Sequence, residues 1–131
     1  MSKKKAFAFL LVVLSLVLFV FGGCNSNSRI ILLDETSTSL SSYQYAINTF
    51  PSDLTVDPIS DYKDAAKKGK QLWQQEWGEL ADDYLNRDTE VLYVSGKDAW
   101  MVTGTLPKDF VGMVPISIIK SDGTVLSVGW V

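Results

Sequence analysis

The chain of 131 residues contains no histidine and a single cysteine, Cys24. The absence of histidine removes the commonest general base, the commonest zinc ligand and every nucleophile pair that depends on an imidazole. One cysteine cannot form a disulfide within the chain, so stability has to come from the packing of apolar side chains. A glycine-rich phosphate loop is also missing, because Gly22-Gly23 adjoins an apolar run and the other glycines are isolated.

The N-terminal region lacks charge of either sign between Lys5 and Arg29. Three lysines, Lys3 to Lys5, precede the sixteen residues 6–21, which are Ala, Phe, Leu and Val with one serine. A basic segment, an apolar run and a small-residue end are typical of a secretory signal. The pattern predicts that residues 1–23 are a signal peptide.

The end of this run, Phe21-Gly22-Gly23-Cys24, resembles a bacterial lipobox. In that class of signal the cysteine thiol receives a diacylglyceryl group, and cleavage leaves the cysteine as the first residue. The resemblance implies that Cys24 is the lipidation site, although Phe21 stands where Leu or Val is usual. Two alternatives stay open. Residues 6–28 would measure ~34 Å as a helix and could form an uncleaved anchor, and Cys24 could be a buried structural cysteine.

Removal of the signal leaves an acidic chain of 108 residues, 24–131, which is long enough for one domain. Without Lys3 to Lys5 it has nine basic and fifteen acidic residues, a net charge of −6. Nucleic-acid binding needs clustered Lys and Arg, so no nucleic-acid partner is expected. The expected partner is the lipid bilayer, through acylated Cys24. The protein would lie at the cell membrane or outer membrane, with its domain on the extracytoplasmic side.

Residues 24–53 have the composition of a tether rich in Ser, Thr and Asn. Ser37 to Ser42 are almost entirely Ser and Thr around Leu40, and such segments bury too little apolar surface to offset the ordering entropy. We therefore predict a flexible linker that holds the domain away from the bilayer. The apolar run from Arg29 to Leu33 interrupts it and could add an edge strand.

The segment that follows Asp57-Pro58 has the spacing of an amphipathic helix. Ser60 or Asp61 can cap its N-terminus. Apolar or small residues then recur every three or four positions, namely Ile59, Tyr62, Ala66, Gly69, Trp73, Trp77 and Leu80. We interpret Gly69 as room for close approach to a sheet, and Gly78 as the stop of the helix.

After Asp88 the pattern changes from helical to alternating, which predicts four strands. They are expected at residues 90–94, 99–106, 116–120 and 124–130, with turns at 95–98 and 121–123 and a loop at 107–112. The predicted fold is α+β, with one amphipathic helix packed on a curled four-stranded antiparallel sheet, preceded by a signal helix and a flexible linker. The four tryptophans would supply much of the core, namely Trp73, Trp77, Trp100 and Trp130.

Acidic residues cluster where the helix is predicted to end, at Glu76, Glu79, Asp82 and Asp83. Negative charge there opposes the helix dipole. The four could form a surface for a basic partner or a calcium site, or could merely solvate the turn that follows Gly78. Their spacing does not match a known calcium loop, so no metal and no cofactor are predicted. No catalytic residue is predicted either, because sequence cannot place any carboxylate pair across a cleft.

Three segments near the C-terminus carry a family resemblance. Residues 98–107 read D-A-W-M-V-T-G-T-L-P, residues 112–115 read G-M-V-P, and residues 119–126 read I-K-S-D-G-T-V-L. They resemble the W-x-V-x-G-T-L-P, G-G-V-P and I-x-K-x-D-G-K-V-L motifs of the NTF2-fold immunity proteins, which protect bacteria against polymorphic toxins. Trp77-Gly78-Glu79 is similar to the aromatic-Gly-Glu triplet that ends a helix in that family. Met113 departs from the family glycine.

The resemblance implies an NTF2-fold, cystatin-like domain over residues 54–131 that neutralises a toxin by protein-protein binding, without catalysis. Its acidic charge would steer association with a basic toxin. The export signal implies that such a toxin acts at the envelope. The alternative is an accessory envelope lipoprotein that binds another envelope protein, or a small apolar ligand between helix and sheet. An envelope hydrolase using carboxylates is a third hypothesis.

Overall fold

A computed structural model of the chain describes residues 28–131. The predicted signal peptide and Cys24 lie outside these residues. The chain is α+β, as the sequence predicts. In chain order the elements are β1 (Ile30–Leu33), α1 (Ser37–Thr49), α2 (Tyr62–Trp77), a 3-10 turn (Gly78–Ala81), α3 (Asp82–Leu85), β2 (Thr89–Val94), a 3-10 turn (Ser95–Lys97), β3 (Ala99–Gly104), β4 (Pro115–Lys120) and β5 (Val125–Trp130).

The strands form one sheet in the order β1-β2-β3-β4-β5. Strands β2 to β5 pair antiparallel, which confirms the four strands expected from the alternating pattern. The edge strand suggested by the run from Arg29 to Leu33 is present as β1, but it pairs parallel with β2. The sheet is therefore mixed and has five strands. A parallel pair needs a long crossover, and residues 34–88 supply it.

The flexible linker predicted for residues 24–53 is corrected over residues 30–49, which form β1 and α1. The Ser and Thr residues that suggested a linker begin the helix instead. Thr36 is its N-cap, and its hydroxyl accepts a hydrogen bond from Ser39 N at 3.1 Å, while Thr36 N donates to Ser39 Oγ at 2.7 Å. Such a capping box satisfies two free donors of the first turn. Tyr43 and Ala46 are 4% and 0% exposed and anchor the helix to the core.

The two long helices cover opposite faces of the sheet, where the sequence predicted a single helix. Alternating strand residues divide between them, since successive side chains point to opposite faces. Leu92 and Met101 belong to the cluster around α1, whereas Val91 and Val102 belong to the cluster around α2. Strand β4 contacts both helices, and its first five residues, 115–119, are all buried. The core is therefore two apolar layers separated by the sheet.

Helix α2 begins and ends as the sequence predicts. The Asp61 carboxylate caps it by accepting a hydrogen bond from Asp64 N at 2.8 Å. The helix stops at Gly78, whose φ of 53° is in the left-handed region that favours glycine. At Gly69 the helix lies so close to the sheet that an added Cβ would be 2.7 Å from Val102 Cγ1. This confirms the interpretation of Gly69 as a point of close approach.

The tryptophans contribute unequally to the core. Trp73 is 0% exposed and lies between α2 and the sheet. The other three are half-buried and form ring pairs at the margins, which corrects the expectation that all four fill the core. Trp77 packs against Trp130 with ring centroids 4.9 Å apart, and Trp100 packs against Tyr93 at 4.8 Å.

Candidate binding surface at one end of the sheet

Several chain segments meet at one end of the sheet. We call it the tether end because Ser28, the first described residue after Cys24, lies there. The strand register places Ile30 beside Thr89, Thr89 beside Gly104, and Pro115 beside Trp130. Strands β1, β2 and β4 therefore begin at this end, and β3 and β5 finish there. The connection from β3 to β4, residues 105–114, projects from it.

The start of β1 is fastened to the tether end by Arg29. Its backbone N–H donates to Asp88 Oδ1 at 2.9 Å, and its Nη2 forms an ion pair with Asp88 Oδ2 at 3.0 Å. Thr89 N donates in turn to Arg29 O at 2.9 Å. The backbone hydrogen bond from Arg29, followed by its side-chain hydrogen bond, holds the pKa of Asp88 below its ordinary value. The chain is thus held in register from Arg29 onward.

An open cleft of about 280 Å³ lies beside this clamp. Its walls are Ser28, Asn86, Arg87, Asp88, Thr105, Leu106 and Pro107. Thr105 Oγ1 donates to Asp88 O at 2.6 Å, which ties the beginning of the 105–114 connection to the beginning of β2. The cleft therefore places the first described residue, Ser28, beside the base of that connection.

The outer part of this connection, residues 108–113, is exposed throughout, and we call it the apolar loop. Phe110 is 68% exposed, Val111 101% and Met113 57%. The base of the loop is nevertheless ordered by hydrogen bonds. Phe110 N donates to Pro107 O at 3.1 Å, and the backbones of Val114 and Val131 exchange two hydrogen bonds of 2.8 and 2.9 Å. Three apolar side chains therefore project from a fixed base into solvent.

The side chain of Tyr84 supports the far side of this loop. Its hydroxyl donates to Met113 O at 3.2 Å, and its ring packs on Trp130 with centroids 5.4 Å apart. A Cβ added at Gly104 would be 3.2 Å from the Tyr84 ring and 2.8 Å from Pro115 Cδ. Gly104 of the W-x-V-x-G-T-L-P-like segment thus serves close packing beneath the loop.

The acidic residues singled out near the end of α2 lie on the surface of the domain. All four carboxylates are exposed, namely Glu76, Glu79, Asp82 and Asp83. Glu76, in the last turn of α2, lines a separate depression of about 230 Å³ with residues 51–54 and Val128. The other three follow Gly78 along the segment that leads to Tyr84. Within residues 28–131, no group of three or more His, Cys, Asp or Glu residues is arranged to hold a metal ion.

A polar cluster lies at the opposite end of the sheet, around Asp98. Asp98 Oδ1 accepts hydrogen bonds from Tyr93 Oη at 2.6 Å and Ser121 Oγ at 2.7 Å. These bonds, the one from Tyr93 first, lower the pKa of Asp98, and the same contact raises the pKa of Tyr93. Ser121 N also donates to Asp98 O at 2.9 Å. The cluster joins two turns and supports the left-handed φ of 47° at Asp98, so its role here is structural.

Sequence reasoning missed the apolar loop, although a signal was present. The predicted loop at 107–112 contains Phe110 and Val111, and Met113 follows it, whereas surface loops are usually polar. Only their exposed fractions show that these side chains leave the core.

Comparison with known proteins identifies no family: no protein-family model, curated protein or solved structure matches the chain. The likeness to NTF2-fold immunity proteins therefore stays a prediction that rests on the motifs. Across residues 28–131, no helix combines the length and the apolar character needed to cross a bilayer.

Proposed function

We propose that the chain is an exported lipoprotein, anchored to a bilayer through acylated Cys24, whose domain acts by binding another protein. This proposal rests on the position in the chain at which the folded domain begins. Ser28, four residues after Cys24, already lines a cleft of the domain, and Arg29 is clamped to Asp88. Regular structure thus follows almost directly after the residue that the lipobox-like segment marks for lipidation.

Because the domain begins at Ser28, the segment that joins it to Cys24 is short. Four residues span at most about 14 Å when fully extended. An acylated Cys24 would therefore hold the tether end of the sheet close to the membrane surface, in place of the long polar stalk expected from composition. A partner of such a domain would be met at the bilayer surface, which fits the proposed neutralisation of a toxin acting at the envelope.

The charge of the domain favours a basic partner. The mature chain carries a net charge of −6, and the exposed carboxylates of Glu79, Asp82 and Asp83 follow one another along the turn after α2. Such a surface raises the rate of encounter with a positively charged protein. The resemblance to immunity proteins supports the same type of partner. The fold argues against a small apolar ligand between α2 and the sheet at Gly69, because helix and strand are already in contact there.

The anchor is tested by metabolic labelling with a clickable palmitate. We expect label in the wild-type protein and none in Cys24→Ala, and we expect the variant alone to keep residues 1–23, because cleavage follows lipidation. Equal labelling of both proteins would reject the lipid anchor, and an unlabelled wild-type protein that keeps residues 1–23 would indicate an uncleaved helix.

The binding role is tested by rescue of cells that express a toxin encoded beside this gene. The wild-type lipoprotein should protect, and Asp82→Asn with Asp83→Asn should weaken protection. A charge-matched control is Asp53→Asn with Asp57→Asn, since these carboxylates are also exposed. Equal effects of the two pairs would show that only net charge matters. Failure of the wild type to protect against any co-encoded toxin would favour the accessory envelope role.

A further inference from the structure

We propose that the apolar loop is a second membrane contact, in which Phe110, Val111 and Met113 enter the interfacial region of the bilayer that holds Cys24. The inference rests on the proposed lipid anchor, and it adds an orientation: the tether end of the sheet faces the membrane.

The three apolar side chains of this loop are exposed to solvent. Val111 is fully exposed, and Phe110 and Met113 are more than half exposed, although the core has apolar layers on both sheet faces. Clustered exposed apolar side chains mark contact with a protein or a membrane. The loop is held at its base by the Val114–Val131 pair and by the Tyr84 hydroxyl.

The position of the loop selects the membrane as its occupant. Ser28 and Pro107 line the same cleft, so the loop begins beside the first described residue of the chain. Ser28 is only four positions after Cys24, and four positions span at most about 14 Å. A lipid on Cys24 would therefore hold the base of the loop near the headgroups. Insertion would then be an intramolecular step at high effective concentration.

The charges around the loop indicate which lipids it prefers. Lys108 and Asp109 precede its tip and offset one another, while Asp82 and Asp83 lie just before Tyr84, which touches Met113. Arg29 and Arg87 also lie at this end, but Arg29 is paired with Asp88 and the Arg87 guanidinium lies over the Tyr84 ring. Basic side chains, which draw a protein to anionic lipids when they are clustered, are therefore interspersed here with acidic ones. Contact would depend on apolar burial, and zwitterionic lipid should support it at least as well as anionic lipid.

The experiment uses the full lipidated protein in vesicles of phosphatidylcholine, with or without phosphatidylglycerol. In the lipidated chain the Cys24 thiol is consumed, so Val111→Cys provides a single free thiol for an environment-sensitive fluorophore. Lys97→Cys is the matched control, because Lys97 is exposed in the turn at the opposite end of the sheet. We expect the emission at position 111 to shift to the blue and to be quenched by lipids brominated on their acyl chains, with no such change at position 97.

A second variant tests whether the apolar side chains themselves cause the contact. Phe110→Ser with Met113→Ser, added to Val111→Cys, should reduce quenching to the level of position 97, while the unfolding transition stays unchanged because both side chains are exposed. Equal quenching at 111 and 97 in membrane-bound protein would overturn the loop contact and leave the anchor standing. Stronger quenching on anionic vesicles that survives the serine variant would also overturn it. Loss of the protein from the vesicles altogether would instead reject the lipid anchor.

Discussion

The contact between Gly69 and Val102 can be tested with Gly69→Ala. Helix propensity and overpacking change the free energy of unfolding of this variant in opposite directions. In an exposed helix, Gly→Ala stabilises by about 1 kcal/mol, because alanine has less backbone entropy to lose. In α2 the new methyl carbon would lie 2.7, 2.8 and 3.0 Å from the Cγ1, Cβ and Cγ2 atoms of Val102. All three distances are well inside van der Waals contact, so either α2 or β3 must move.

The size of the destabilisation by Gly69→Ala depends on how freely the residues around Gly69 can move. Val102 is 0% exposed, and its strand is paired on both sides, so it has little freedom to shift. The carbonyl of Gly69 also accepts a buried hydrogen bond from Ser117 Oγ at 3.1 Å, which a displaced helix would lengthen. Overpacking of this kind costs about 1–3 kcal/mol. After subtraction of the helix propensity term, we expect Gly69→Ala to destabilise by about 1 kcal/mol.

A double-mutant cycle isolates the contact. Val102→Ala removes Cγ1 and Cγ2 but keeps Cβ, which would lie 2.8 Å from the new methyl carbon, so Gly69→Ala made in that background should destabilise less than it does beside valine. The coupling free energy should then be about 1 kcal/mol, measured by urea unfolding of all four proteins with far-UV circular dichroism. Gly96→Ala is the control, because a Cβ there meets nothing within 4 Å, and its effect should stay below about 0.5 kcal/mol.

The close approach would be refuted by a simple result. If Gly69→Ala stabilised the protein by the full helix propensity, and did so equally with valine or alanine at position 102, then helix and strand would not be in contact. The placement of α2 over β3 would then have to be abandoned.

Two further predictions concern the N-terminal part of the fold. Tyr43→Ala should destabilise by about 3 kcal/mol because its ring is 4% exposed, whereas Tyr45→Ala, 54% exposed on the same helix, should cost less than about 1 kcal/mol. Equal, small losses in the thermal midpoint would restore the flexible linker. Because Arg29 depresses the pKa of Asp88 in the folded state, this carboxylate stabilises above its unfolded pKa, and the effect is lost as the pH falls through the depressed folded value. Asp88→Asn should therefore be less stable than wild type at pH 7, and the difference should close below about pH 4; a difference independent of pH would contradict the clamp.

The sequence was sufficient to predict elements whose signal is local. Helix α2 has both an apolar period and two terminal signals, the Asp61 cap and the Gly78 stop, and both terminal signals hold in the structure. The apolar period ends earlier than predicted, since Leu80 lies beyond Gly78 and is 72% exposed. The hairpins from β2 to β5 were predictable for a similar reason, since alternation and turn residues lie within a few positions of one another. The candidate acidic residues were found by composition, but the depression that Glu76 lines with residues 51–54 was not.

Helix α1 and strand β1 could not be predicted with the same rules. A run of Ser and Thr favours a disordered linker when it is considered alone, and Tyr43 and Ala46 give only two apolar positions in the core of that helix. What makes the helix form is the second face of the sheet, whose residues Leu92, Met101 and Ile118 would otherwise be exposed. Strand β1 likewise depends on a partner, β2, that is separated from it by residues 34–88.

By itself the sequence determined the chemistry that is available: an acidic chain without histidine, one cysteine after an apolar run, and the local patterns of one helix and four strands. Those properties depend on residue type and near-neighbour spacing. The tertiary structure alone decided that the supposed tether is part of the fold, that Ser28 and the apolar loop share one end of the sheet, and that three apolar side chains leave the core. These are consequences of long-range pairing and burial, which no local pattern encodes.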